Sequence, residues 1–147
     1  MTRLVALLVF LASIGFVSAA QAADTDDANL VIAIDRSAGF TSAERARPID
    51  HYRFTVVKDG GWVFKPVKGE SRKGKLGAED LKRWLEAIED GGLYTVESNL
   101  MLGALDEPYM DITVRTGNRK TRVRIRLSET LSKAVEKKIV ELAKPGE

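Results

Sequence analysis

Leu30-Val31-Ile32-Ala33-Ile34 is an unbroken apolar run of strand length, which predicts a strand covered on both faces or flanked on both edges. Residues 37–50 hold Gly39, Pro48 and scattered charge, and read as a loop. Alternation then begins. His51 to Val57 and Trp62 to Val67 flank Asp59-Gly60-Gly61, the pattern of a β-hairpin. A three-residue loop over Asp59–Gly61 is expected, with Gly61 left-handed, Val56 opposite Phe64 and Phe54 opposite Pro66. That register gathers Tyr52, Phe54, Val56, Trp62 and Phe64 on one face.

Gly69 to Lys75 reads as a flexible basic connection. From about Ala78 to Asp90, Leu81, Trp84, Leu85 and Ile88 recur at i, i+3, i+4 and i+7, one apolar stripe of a helix. Glu79 and Asp80 in its first turn suit the helix dipole, and Gly91-Gly92 stop it. Leu93 to Val96 forms a short strand or packs under the helix, and Ser98 to Leu105 is an apolar loop. Tyr109–Arg115 and Thr121–Leu127 form a second hairpin about Gly117-Asn118. A two-residue turn there sets Met110 opposite Ile125, Asp111 opposite Arg124, Ile112 opposite Val123 and Thr113 opposite Arg122. Shifting the turn by one would pair Arg115 with Arg122, a like-charge contact that disfavours it. Ser128 is expected to cap a last helix with stripe Leu131, Val135, Ile139 and Leu142, ended by Pro145-Gly146. The order β-β-β-α-β-β-α predicts an α+β fold, an antiparallel sheet of about five strands with both helices on the aromatic face.

Residues 116–127, TGNRKTRVRIRL, place five basic residues in twelve positions without an acid. Arg122, Arg124 and Arg126 alternate with Val123, Ile125 and Leu127, so they project from the face the helices leave open. Arg53 and Lys65 join them. By the same parity Val31, Ala33, Val57, Val63 and Val67 share that face, giving an aliphatic patch rimmed by cations, a pattern of partner surfaces. The candidate partner-binding set is therefore Val57, Val63, Val67, Arg53, Lys65, Arg122, Arg124 and Arg126. Nucleic-acid modules interleave such charge with exposed stacking aromatics. Here the aromatics are assigned to the buried face, so nucleic acid is not the expected partner.

The amino terminus adds a destination. Arg3, the 14-residue apolar run Leu4–Val17 and Ala20-Gln21-Ala22 form the three parts of a secretory signal peptide, with the cut expected after Ala22. The run is shorter than the roughly 20 residues of a membrane span, so no stable span is expected after cleavage. Residues 23–29 read as a disordered leader and 30–147 as a single domain, periplasmic or extracellular. The formal charge of +2 argues against a globally basic protein, and zero cysteines exclude thiol chemistry and disulfides.

Catalysis finds little material. His51 is the single histidine and, without cysteine, cannot complete a usual zinc or copper site. No Gly-x-Ser-x-Gly elbow or phosphate-cradling glycine motif occurs, so neither metal nor cofactor is expected. Asp106, Glu107 and Asp111 form an acid cluster at a strand entry. It is a candidate for a small carboxylate-based hydrolase, against a turn-capping role.

Ser37-Ala38-Gly39-Phe40, the Asp-Gly turn, Leu76-Gly77-Ala78-Glu79-Asp80-Leu81 and Asp106-Glu107-Pro108 follow one another in an order that resembles small exported bacterial domains of unknown function. The similarity spans nearly all of 30–143; the chain departs from it in its Asp-Gly-Gly turn and long loop 95–105. It implies an α+β fold and brings no activity with it. The leading expectation is thus an exported, non-catalytic domain that binds a protein or envelope component through its open sheet face. A polyanion-binding module using Arg122, Arg124, Arg126 and the 65–75 basic loop is the alternative.

Overall fold

The computed structural model describes residues 29–39 and 45–144. The expected signal peptide, nearly all of the expected leader, Phe40 and the expected Pro145-Gly146 stop lie outside the described residues. Six antiparallel strands make one sheet: β1 (Leu30–Ser37), β2 (His51–Val57), β3 (Gly61–Pro66), β4 (Arg72–Lys75), β5 (Tyr109–Thr116) and β6 (Arg119–Arg126). Their spatial order is β4-β3-β2-β1-β5-β6, which puts the apolar β1 at the centre. Helices α1 (Ala78–Asp90) and α2 (Thr130–Ala143) pack on one face.

That face is the aromatic one, as the alternation predicts. Phe54 is fully buried, stacked on Trp62 at 5.7 Å and met edge-on by Trp84 of α1 at 5.7 Å. Helix α1 buries Leu81, Trp84 and Ile88, while α2 buries Leu131, Val135 and Ile139. Each such side chain contributes roughly 1.5–3 kcal/mol on leaving water. Packing of this kind holds a chain that has no disulfides.

Four local expectations are corrected. The basic connection contains β4, which pairs with β3 as Trp62↔Gly74 and Val63↔Lys73. The indole of Trp62 lies over Gly74 so closely that a Cβ there would sit 2.5 Å from the ring, so the missing side chain is what lets the strand approach. The first hairpin is displaced by two residues: Phe54 faces Phe64 and Val56 faces Trp62. Its loop is Lys58–Gly60, and Gly60, not Gly61, is left-handed at φ 87. Because the shift is even, every side chain keeps its face. In β1, a bulge between Leu30 and Ile32 turns Val31 against the core and leaves Leu30 opposite Val57. Finally, α2 starts one residue later than expected. Glu129 is its N-cap, and Ser132 Oγ donates to the carbonyls of Arg126 and Glu129 instead of Ser128 capping the helix.

The second hairpin has the expected register, from Met110↔Ile125 to Thr113↔Arg122. Residues 93–96 form turns beneath which Leu93 is buried, and a short 3-10 turn covers Leu102–Leu105.

Candidate functional site

Strand order decides which polar residues meet on the open face, and it builds two parallel rungs. One runs Lys65–Arg53–Asp35–Asp111–Arg124 across β3, β2, β1, β5 and β6. The next runs Lys73–Val63–Thr55–Ala33–Thr113–Arg122 across all six strands. The first rung stands tall and charged. The second has a floor of small side chains with a cation at each end.

Asp35 and Asp111 are direct cross-strand neighbours, and arginines bracket the pair. Arg124 grips Asp111 with two bonds, Nε to Oδ1 and Nη2 to Oδ2, each 2.6 Å, and Arg122 adds a third at 2.9 Å. Burial pushes the Asp111 carboxyl up, but these hydrogen bonds and charges outweigh it and hold the group below the usual carboxylate range. Arg53 reaches Asp35 at 3.2 Å, a more exposed contact. For Asp35 burial dominates, and with the Asp111 charge it overcomes the opposing pull of Arg53, so its carboxyl sits above the usual range.

Arg124 is therefore committed. Its guanidinium lies 4.2 Å over the Tyr109 ring, and the loop before β5 crosses it. Asn99 N donates to Arg124 O, Arg124 N donates to Ser98 Oγ, and Arg124 Nη1 donates to Leu100 O. Arg126 lies 3.7 Å from Glu107 in a surface pair. Lys65, Lys73, Lys75, Lys120 and Arg122 also present exposed side chains on the open face, Arg122 while it bonds Asp111. A shallow hollow of about 200 Å³ sits among Ala33, Asp35, Arg53, Thr113, Lys120 and Arg122. A larger one of about 380 Å³ beyond the outer edge of β6 is lined by Glu97 and Glu129 as well as Arg124 and Arg126, so its charge is mixed.

The aliphatic part of the open face is smaller than the sequence implies. Val57 and Val63 are half-buried, Val31 has turned inward, and Val67 is 84% exposed but lies past the end of β3. The acid cluster is divided among separate tasks. Asp106 adopts a left-handed conformation (φ 55) at the turn, Glu107 faces Arg126, and Asp111 serves the arginines of β6. Asp35 and Lys120 are the members of this face that the sequence does not single out, while Lys73 and Lys75 belong to the 65–75 basic stretch named for the polyanion alternative. The alternation of β1 and β5 about their polar positions could have flagged Asp35, but its neighbour depends on strand order.

Helix α1 carries Glu79, Asp80, Glu86, Glu89 and Asp90 against Lys82 and Arg83, whereas α2 carries Lys133, Lys137 and Lys138 against Glu136 and Glu141. On the open face Asp35 and Asp111 are both held by arginines. Among the described residues no helix is long and apolar enough to cross a membrane. In comparisons with family models, curated proteins and solved structures, nothing matches the chain.

Proposed function

We propose that the chain is an exported, non-catalytic binding domain that accepts an anionic component of the cell envelope on the open face of its sheet. The observation that carries this reading is the second rung, a strip of small side chains between Lys73 and Arg122, with further exposed lysines on both sides. Such a strip leaves room for an extended or flat ligand to approach the cations, and a one-signed field raises its local concentration. The two aspartates do not counter it, because Arg53, Arg122 and Arg124 already neutralise them. The signal peptide read from residues 1–22 supplies the compartment in which envelope polymers are met.

Retention on a sulfated polymer such as heparin tests the reading. The chain from Ala23 onward should elute at a salt concentration that falls when Lys65, Lys73, Lys75 and Arg122 become Gln, because each lost contact removes released counterions. Elution at low salt, unchanged by the four substitutions, would sink it.

A further inference from the structure

Leu100 and Met101 are consecutive and exposed by 67% and 65%, at the tip of the loop that crosses the open face. The tip is braced. Met101 N donates to Asn99 Oδ1, Leu102 beside it is 2% exposed, and Arg124 holds the Leu100 carbonyl from below. Gly103 lies so close to the Tyr109 ring and the Arg124 guanidinium that a Cβ would come within 3.1 Å of each. Two apolar side chains are therefore held out beside the cationic face by contacts that belong to that face.

From this juxtaposition we infer that the domain docks on an anionic lipid bilayer. The open face lies against the headgroups, and Leu100 and Met101 enter the boundary between headgroups and acyl chains. The inference rests on the anionic-ligand reading above and names its ligand. Charge complementarity selects the surface, since clustered Lys and Arg are drawn to anionic headgroups. The tip then separates a bilayer from a soluble polymer. A polysaccharide offers nothing apolar for Leu100 and Met101 to enter, whereas a membrane interface combines both chemistries in one plane, and reversible anchoring uses both together. A protruding loop also fits a flat, yielding surface without needing a groove.

The sheet and both helices lie within residues 30–143, so the chain starting at Ala23 keeps the fold and lacks the apolar signal. Its binding to phosphatidylglycerol–phosphatidylcholine vesicles, to phosphatidylcholine alone and to heparin is measured by co-sedimentation and column retention. The expected result is binding to the anionic vesicles, weakened about 10- to 100-fold by Leu100→Ser with Met101→Ser, while heparin retention stays unchanged. A Met101→Trp variant, observed against the background of the buried tryptophans, should shift to the blue and be quenched by brominated lipid. Circular dichroism checks that these surface variants remain folded. If the serine pair leaves vesicle binding intact, or if heparin binds and anionic vesicles do not, the bilayer inference falls and the anionic-polymer reading stands. If neither vesicle nor heparin is bound, both fall.

Discussion

Asp35 and Asp111 face each other across β1 and β5, and their surroundings move their carboxyls in opposite directions. Asp111 is buried and bonded three times by arginines, whereas Asp35 has a single, more exposed arginine and the charge of its neighbour to contend with. One is a structural anion; the other is tolerated.

Asp111→Asn should destabilise the fold by roughly 1.5–3 kcal/mol, because it removes charged hydrogen bonds from a half-covered Arg124. A depressed folded pKa contributes stability that is present above the unfolded value near 3.9 and lost as pH falls through the folded value. Thermal melts of wild type and variant should therefore differ most near neutral pH and converge only in strong acid. A pH-independent difference would count against the ion cluster as its source.

Asp35→Asn has the opposite sign. A raised folded pKa means that the ionised carboxylate penalises folding above that value, and the penalty disappears as pH drops through it. The variant should melt higher than wild type at neutral pH, with the gain gone in acid. A lower melting temperature at pH 7 would show that the Arg53 contact outweighs burial and repulsion.

Arg36 fastens three elements on the helix side. Its Nη1 donates to the carbonyls of Ile49 (2.7 Å) and Asp50 (2.8 Å), and its Nε lies 2.9 Å from Glu136 of α2. Arg36→Lys keeps the charge but not the fork. It should cost roughly 1.5–3 kcal/mol in denaturant unfolding, since an ammonium cannot hold both carbonyls and the Glu136 ion pair together. Loss of less than about 0.5 kcal/mol, the scale of an ordinary surface change, would rule the clamp out.

Gly74→Ala puts a methyl against the Trp62 ring and should cost roughly 1–3 kcal/mol, with a red shift as the indole gains water. Lys73→Ala, on the opposite face of the same strand, should leave both readouts nearly unchanged. Equal effects from the two would mean that the close approach does not hold β4 in place.

What the sequence made legible was periodic. Alternation in residues 51–67 and 109–127 assigned faces correctly, and the repulsion between Arg115 and Arg122 chose the register of the second hairpin. The first hairpin was displaced because Gly60 and Gly61 both accept a left-handed backbone. Only the contact of Gly60 with Leu76, whose N–H bonds the Gly60 carbonyl, selects between them. The bulge at Val31 is invisible in a run that is apolar at every position. Strand β4 reads as a linker because Arg-Lys-Gly-Lys has no apolar alternation; its strand conformation comes from pairing with β3.

Of the site, the arginine row was legible and its availability was not. Arg122, Arg124 and Arg126 look equivalent by spacing, yet Arg124 is spent on Asp111 and roofed by loop 98–103. Asp35 went unnoticed because local sequence does not reveal that β1 lies beside β5. Two of the short motifs, Ser37–Gly39 and Asp106–Pro108, turn out to be joints. A Cβ on Gly39 would meet the carbonyl of Asp106 at 2.3 Å, so Ser37–Gly39 and Asp106–Pro108 touch.

The two margins of the sheet have a consequence for life at high concentration. At one side β4 is four residues long, with Arg72, Lys73 and Lys75 along it; at the other, Ser98 and Asn99 already occupy the hydrogen-bonding positions of Arg124. A second copy seeking to extend the sheet meets mutual repulsion at one margin and, at the other, a backbone already engaged at Arg124. Both features disfavour the strand addition by which crowded molecules would grow into fibrils.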